Sequence, residues 1–307
     1  MINFFSVHVV MITGLKMEQQ DTLQRFLFEH APVRGEIVHL DATWQAVLER
    51  HEYPAPLRTV LGELMAAAAL LAATLKFSGA LVMQMQGNGP VRLVVVECNS
   101  DMSMRATAKW EGELSGNGLT ELLGEGRFAI SIHSDEGKQH YQGIVEFSGD
   151  SVAEMLENYM RHSEQLDTRL WLTAGPSHAT GMLLQRLPEQ NAEDADAWNR
   201  VTHLAGTITQ QELLGLPALE IIHRLFHEED LRLLESHHVS FRCSCSHERV
   251  ANMLRMLGYD EVTAVLAEMG QVEVNCEFCN RRYRYDAVDA EQVFAAEIVT
   301  EAPRSVH

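Results

Sequence analysis

Short apolar runs of strand length, separated by turn residues, follow one another from about residue 35 to residue 187. The clearest pair is Ala80–Gly87 (ALVMQMQG) and Val91–Cys98 (VRLVVVEC), which flank the turn sequence Asn-Gly-Pro at 88–90. A turn of this kind between two apolar runs is typical of a β-hairpin. The same pattern predicts strands at Gly35–Asp41, Met102–Trp110, Phe128–His133, Tyr141–Phe147 (after a turn at 135–137), Arg169–Gly175 and Thr180–Pro188.

Three helices are predicted among these strands. Asp41 stands in the capping position for the helix Ala42–Glu52, and Ser151 begins a helix that runs to Glu164. Leu57–Phe77 is rich in alanine and apolar almost all round, so it must be covered on several sides and is interpreted as a central core helix. Strands in succession with helices grouped apart predict an α+β fold, with a mostly antiparallel sheet and packed helices.

The composition changes after Pro188, where an acidic, polar stretch (EQNAEDADA) is followed by a helical pattern from Trp198 to Glu235. Pro217 suits the first turn of a helix. Four apolar positions, Leu219, Ile222, Leu225 and Phe226, mark one face of that helix. The segment is too short for a domain of its own, and we interpret it as a helical linker docked on its neighbour.

The last part of the chain, from about Phe241 to Phe294, has a pattern of its own. Two short amphipathic helices are predicted, each ended by a glycine suited to a C-cap, at Gly258 and Gly270. A possible strand (RYRYD, 282–286) and a helix (DAEQVFAAE, 289–297) follow. With 307 residues the chain is long enough for about two domains. The predicted division is an extension (1–16), an α+β core domain (17–190), a helical linker (191–241), a C-terminal module (242–295) and a tail (296–307).

Charge narrows the classes of partner. The net charge of −19, and six basic against eleven acidic residues over 243–307, oppose binding to nucleic acid or to anionic lipid. The apolar stretch Phe4–Leu15 is too short to span a bilayer and lacks a basic leader, so we expect residues 1–16 to be an extension from an upstream start codon and the protein to be cytoplasmic. No phosphate-binding loop and no catalytic set can be assembled, and the residues give no positive case for an enzyme.

Four of the five cysteines lie in two close pairs, Cys243 and Cys245, then Cys276 and Cys279, with 30 residues between the pairs. Four thiolates complete the tetrahedron that zinc prefers, so the nearby His237, His238 and His247 are weaker candidates as ligands. Each pair is also close enough to form a local, strained disulfide. Cys98, at the end of an apolar strand, is expected to be a buried core residue.

Three hypotheses follow from this spacing. Zinc holds the small module together, and oxidation releases the metal, unfolds the module and exposes apolar surface that binds unfolded protein. Alternatively, Cys276 and Cys279 exchange disulfides with substrates as a thiol-disulfide oxidoreductase. In the third hypothesis, the site is a passive structural zinc module that tethers a partner protein.

The runs FRCSCSHERV (241–250) and VEVNCEFCNRRYRYD (272–286) resemble the redox-regulated heat-shock protein 33 family, also called the 33 kDa chaperonin. The resemblance extends through the hairpin GNGPVRLVVVECN (87–99) and the acidic, helical linker, and covers roughly Met17 to the end of the module. Residues 1–16 lie outside it.

The resemblance implies an ATP-independent holdase of the bacterial cytoplasm that binds unfolding proteins under oxidative and heat stress. It implies one Zn²⁺ per chain in the inactive, reduced form, held by Cys243, Cys245, Cys276 and Cys279. It also implies that oxidation forms the disulfides Cys243–Cys245 and Cys276–Cys279, releases zinc and unfolds the module and linker. The activated chain is then expected to dimerise and to pass clients to ATP-dependent foldases.

Overall fold

A computed structural model of the protein describes residues 21–116, 118–134, 140–188, 194 and 196–300, without the side chains of 140 and 296–300. The predictions for residues 1–16, the turn at 135–137, the stretch 189–193 and the tail beyond 300 lie outside the described residues. The elements of the first part are β1 (Thr22–Phe28), β2 (Val33–Leu40), α1 (Ala42–Leu48), α2 (Ala55–Thr74), β3 (Gly79–Gly87), β4 (Val91–Asn99), β5 (Ser103–Trp110), α3 (Leu119–Leu123), β6 (Gly126–Ser134), β7 (His140–Glu146), α4 (Val152–His162), β8 (Thr168–Ala174) and β9 (Ala179–Arg186). The second part contains α5 (Ala197–Ala205), α6 (Gln210–Gly215), α7 (Ala218–Phe226), β10 (Leu231–Leu233), β11 (His237–His238), β12 (Ser240–Phe241), α8 (His247–Leu257), α9 (Tyr259–Met269), β13 (Val272–Asn275), β14 (Arg282–Tyr285) and α10 (Ala287–Thr300).

Two six-stranded sheets enclose α2. The first sheet has the order β10-β1-β2-β9-β8, with β11 also paired to β1, and the second has the order β12-β5-β4-β3-β6-β7. Every pairing in them is antiparallel except that of β12 with β5. The predicted α+β class is confirmed, and the predicted strands form two sheets that share one core.

The helix α2 is the central core helix that the sequence predicted, although it begins at Ala55 and ends at Thr74. It contacts β8 and β9 of the first sheet and β4 of the second. A Cβ on Gly62 would come within 2.5 Å of the Cβ of Ala174 on β8, so the absence of a side chain at this position allows helix and sheet to touch. By length and composition α2 could cross a membrane, but 72% of its apolar window is buried inside the protein.

Two local features differ from what the sequence predicted. Strand β1 was not among the predicted strands, and it pairs with β2 along its length. Asp41 does occupy the N-cap position of α1, but its side chain makes no capping hydrogen bond. The carboxylate of Asp21 takes that role, since it accepts from the backbone N–H of Asp41 at 2.7 Å and of Thr43 at 3.0 Å. By contrast, Ser151 caps α4 as predicted and accepts from the N–H of Glu154.

The helices α5, α6 and α7, here called the linker helices, lie on the face of the first sheet that points away from α2. They build a second core with the sheet, in which Phe26, Phe28, Val33, Ile37, Met182 and Leu184 meet Val201, Ala205, Leu213, Ile221, Ile222, Leu225 and Phe226. One predicted contact is wrong, because Leu219 is 50% exposed whereas Ile221 is fully buried. The helical pattern was also extended too far, because α7 ends at Phe226 and β10 follows.

A third core belongs to the C-terminal part of the chain. It is built from α8, α9, α10 and the two-stranded sheet β13-β14, and its buried side chains are Val250, Leu254, Val262, Val272, Tyr283, Tyr285, Ala290 and Val293. The predicted glycines end both helices: Gly258 has φ 101°, and Gly270 has φ 75° in the left-handed region. The helix α10 continues to Thr300, beyond the module end predicted at 295.

Candidate metal centre

The first cysteine pair follows directly on a strand that is held by the second sheet. Strand β12 pairs in parallel with β5, and the N–H of Arg242 donates to the carbonyl of Met104 at 3.0 Å. After the pair, the side chain of Ser246 accepts from the N–H of Arg249 and begins α8. Cys243 and Cys245 are therefore positioned between a sheet edge and a capped helix.

The second pair lies in the turn between β13 and β14. The N–H of Asn280 donates to the carbonyl of Cys276 at 2.8 Å, and the N–H of Cys276 donates to the carbonyl of Arg281 at 2.9 Å. Asn280 has φ 56°, a left-handed conformation that asparagine tolerates better than most residues. These bonds bend the backbone so that the thiols of Cys276 and Cys279 point to the same side.

The four thiols converge. All four Sγ atoms lie within 4.8 Å of one another. The distance from Cys243 Sγ to Cys276 Sγ is 3.6 Å, and that from Cys245 Sγ to Cys279 Sγ is 3.3 Å. Zinc–sulfur bonds of about 2.3 Å in a tetrahedron place the sulfurs about 3.8 Å apart. The cluster thus fits a tetrahedral ion of this size, and close contacts join thiols of different pairs.

The histidines considered as alternative ligands lie elsewhere. In the described part of the chain, the four cysteines are the one group of His, Cys, Asp or Glu residues arranged to hold a metal ion. His237 and His238 pair with β1 of the first sheet. His247 packs edge to face on Tyr283, with ring centroids 4.9 Å apart.

The protonation of the cluster is uneven. Partial burial raises the pKa of the Cys279 thiol to about 12, and it also raises the pKa of Cys276. Burial acts in the same direction on Cys245, but hydrogen bonds from surrounding polar groups, among them the other thiols, outweigh it and lower the pKa of Cys245 to about 7. Four thiols this close cannot all ionise without a cation among them, which is the electrostatic condition of a metal site.

The cysteine cluster also touches the second sheet through Glu277, between the two cysteines of the second pair. Its backbone carbonyl accepts from Thr107 Oγ1 at 2.9 Å and lies 2.8 Å from Nε2 of His51. Its carboxylate forms an ion pair with Lys109 Nζ at 2.5 Å. Sequence reasoning did not find these partners. The alternation along β5 places 107 and 109 on one face, but nothing in the sequence says what that face contacts.

Cys98 is separate from the cluster, as predicted. It is fully buried in the main core, and burial raises the pKa of its thiol to about 12. Such a thiol stays protonated and unreactive at neutral pH.

Fold and site together define a class: an α+β protein with two sheets around one helix and a C-terminal tetrathiol centre docked on one of the sheets. The model of the family described as Hsp33 protein matches residues 21–286. The 33 kDa chaperonin of Methylobacillus flagellatus is 54% identical over 285 residues, which covers 92% of this chain and 97% of that protein. The 33 kDa chaperonin of Chromobacterium violaceum is also 54% identical, over 95% of this chain and the whole of the other. The chain therefore belongs to the Hsp33 family.

The fold is shared with a solved structure. The crystal structure of the 33 kDa chaperonin from Thermotoga maritima superposes with a TM-score of 0.80 over 91% of this chain and 99% of that chain, at 22% identity. The resemblance stated from the cysteine motifs is confirmed. The relatives are bacterial proteins named 33 kDa chaperonins, which supports a chaperone role.

Proposed function

We propose that the chain is a redox-controlled, ATP-independent holdase of the bacterial cytoplasm. The observation that carries the proposal is the position of the cysteine cluster. It lies where the C-terminal part of the chain meets the second sheet, while the linker helices just before it in sequence cover an apolar face of the first sheet. One centre can therefore control whether the segment that covers this face stays ordered.

In the reduced state the ligands are Cys243, Cys245, Cys276 and Cys279, with one Zn²⁺ per chain. A zinc ion bound there supplies roughly 10–16 kcal/mol of apparent folding free energy to a small module. The C-terminal core has few buried side chains, and a domain of this size is marginal without such a constraint. We propose the predicted division into core domain (17–190), linker (191–241) and a module that begins at 242, with the module end moved from 295 to the end of α10 at Thr300.

Oxidation removes the ligands. Each disulfide forms when two thiolates lose two electrons to one peroxide, which takes up two protons and becomes two water molecules. Two peroxides thus convert four thiolates into Cys243–Cys245 and Cys276–Cys279, and the metal leaves as a free dication. A module that loses this constraint unfolds, and the linker helices lose their C-terminal anchor.

The surface that unfolding uncovers is aromatic and aliphatic. The linker helices shield Phe26, Phe28, Val33, Ile37, Met182 and Leu184 on the first sheet. An exposed apolar patch of this kind binds the apolar segments of unfolding proteins, and in the activated chain it also supports dimerisation. The net charge of −19 keeps the opened chain in solution while clients are held for ATP-dependent foldases.

The test follows zinc and client together. Reduced protein is treated with peroxide at mild heat, zinc is measured with a chromogenic chelator, and aggregation of a thermally unfolding client is followed by light scattering. We expect about one zinc per chain, consistent with one tetrathiol site, and suppression of aggregation only after its release. Release without any gain in client protection would contradict the holdase function.

The two alternatives predict different outcomes. A disulfide exchanger needs an attacking thiol with a lowered pKa, whereas the pKa of Cys276 and of Cys279 is raised here. Turnover in an insulin-reduction assay would favour that alternative. For a passive zinc module, oxidation would abolish binding to a partner, whereas the holdase gains binding.

A further inference from the structure

The outer face of β5 carries a row of three side chains that meet the cysteine cluster. Arg105, Thr107 and Lys109 occupy alternate positions of the strand, so all three project from the same face. Thr107 and Lys109 contact Glu277. Arg105 is the member of the row that reaches a cysteine.

Arg105 is held by contacts on three sides. Its Nη2 lies 2.6 Å from Oε2 of Glu97, the residue directly opposite it on β4. Its Nη1 donates to Sγ of Cys243 at 3.7 Å. Its guanidinium carbon lies 4.1 Å from the ring centroid of Phe278, within the second cysteine turn. One side chain of the second sheet thus touches both segments that carry the cluster.

The contact with sulfur matters because of charge. Four thiolates around a divalent cation carry a net charge of −2, and two disulfides without the cation carry none. The side chain of Arg105 is only 13% exposed and that of Glu97 only 16%. Water screens their interactions less than it would on an open surface. When the Cys243 thiolate is oxidised, the guanidinium of Arg105 therefore loses an attraction that water screens only weakly.

Resting on the function proposed above, we propose that Arg105 is a positioning residue that couples the charge of the cysteine cluster to its docking on the second sheet. In the reduced state it donates to a thiolate, stabilises the anionic cluster and holds the turn that contains Phe278 against β5. After oxidation the sulfur is neutral, and Arg105 retains only Glu97 and the ring. Docking weakens as a direct consequence of the chemistry at sulfur, in addition to the unfolding of the module.

The row offers a matched control. Lys109→Gln also removes one positive charge from the same face of β5, but the partner of Lys109 is the exposed carboxylate of Glu277 and not a cysteine sulfur. Exposed ion pairs contribute little. Arg105→Gln removes the charge that faces Cys243, and Arg105→Lys keeps the charge but loses the planar group that stacks on Phe278.

The first measurement is the zinc affinity of the full-length, reduced protein by chelator competition. Partners that bind a metal ligand typically change metal affinity 10–100-fold, so we expect Arg105→Gln to weaken zinc binding by about that factor. Lys109→Gln is expected to stay within about twofold, the scatter for independent sites. Arg105→Lys is expected to fall between them.

A double-mutant cycle separates charge coupling from a packing role. Cys243→His keeps a zinc ligand but removes the thiolate that Arg105 faces, so the effect of Arg105→Gln in that background is expected to shrink to about twofold. If Arg105→Gln weakens zinc binding as much in the Cys243→His background as in the parent chain, the inference is overturned, because Arg105 then does not act through the sulfur of Cys243.

The docking of the second cysteine turn on β5 is measured by the yield of a zero-length carbodiimide cross-link between Lys109 and Glu277, whose charged atoms lie 2.5 Å apart. In zinc-loaded, reduced protein we expect a high yield of this cross-link in the parent chain and a reduced yield in Arg105→Gln. A parent chain that binds no zinc would overturn both this inference and the proposed function. Zinc bound equally well by the parent and Arg105→Gln would overturn the inference alone and leave the redox switch intact.

Discussion

The ring of Phe226, at the end of α7, meets the ring of Phe28 on β1 edge to face, with centroids 5.2 Å apart. Phe26 completes the group, 5.8 Å from each of the other two rings. All three are buried. This aromatic group joins the last linker helix to the first sheet, so its packing contributes to the free energy that keeps the linker helices closed.

Phe226→Ala is expected to open the linker helices without oxidation. Truncation of a buried phenylalanine typically costs about 3–5 kcal/mol, which is comparable to the free energy that holds a docked segment. Hydrogen exchange of the amides in α5–α7 should accelerate, and client aggregation should be suppressed by the reduced, zinc-loaded variant.

The control for this change is Leu219→Ala on the same helix. Leu219 is 50% exposed. We expect its truncation to change the free energy of opening of the linker helices, as measured by exchange, by no more than about 0.5 kcal/mol, the range typical of surface substitutions. Equal protection of the linker helices in Phe226→Ala and in the parent chain would show that the aromatic group does not hold them.

The linker helices are expected to loosen in mild acid through His39. This residue of β2 is buried, and burial lowers its pKa from 6.5 to about 4. The backbone carbonyls of Leu216 and Leu213, at the end of α6, raise the pKa of His39 but only partly offset the effect of burial, and the nearby His178 lowers it further. An opened α6 lets His39 take up a proton at higher pH than the closed state does. The closed state is therefore favoured fully above pH 6.5 and loses that preference as the pH falls towards 4.

Exchange of the α6 amides should accordingly rise about tenfold between pH 7.5 and 5.5, after correction for intrinsic rates. His39→Leu should remove that rise. The exchange of α6 is measured, and not global stability, because Glu36 affects global unfolding in the opposite direction. Burial raises the pKa of Glu36 to about 7. Its contribution to the free energy of unfolding is therefore present below pH 4.5 and lost as the pH rises to 7. A pH-independent exchange rate in the parent chain would contradict the role of His39.

Oxidation is expected to join Cys243 to Cys245 and Cys276 to Cys279, as the family resemblance implies. In the reduced structure, however, two of the closest thiol contacts cross between the pairs, from Cys243 to Cys276 and from Cys245 to Cys279. Peptide mapping of the oxidised, unreduced chain by mass spectrometry distinguishes the two patterns. Crossed disulfides would lock the module and predict that oxidation stabilises it, so their appearance would count against an unfolding switch.

Asp21 and Asp41 are expected to differ sharply when each is replaced by alanine. Asp21 is buried and accepts from the N–H groups of Asp41 and Thr43, so Asp21→Ala should lower the free energy of unfolding by about 0.5–2 kcal/mol, the range for a lost cap. Asp41→Ala loses no capping bond and should have a small effect. Chemical denaturation of both variants tests this, and a larger loss from Asp41→Ala would refute the assignment.

Much of the fold was readable from local pattern. The hairpin β3–β4, the strands β8 and β9, the helix α4 with its Ser151 cap and the glycines that end α8 and α9 all follow from turn chemistry and periodicity. Local interactions between residues close in sequence determine these features, so sequence alone specifies them. The strand β1 escaped notice because its alternation is weak.

For the cysteine pairs, the sequence predicts one part of the site and the tertiary structure determines another. Their spacing by itself determined the kind of chemistry, because four soft ligands in two close pairs suit one tetrahedral ion. Only the tertiary structure decided which groups surround that chemistry, Arg105 against Cys243 and Thr107 against Glu277, and which aromatic rings close the linker helices, Phe226 against Phe28. These contacts join residues more than 100 positions apart, and long-range packing, not local propensity, selects such partners.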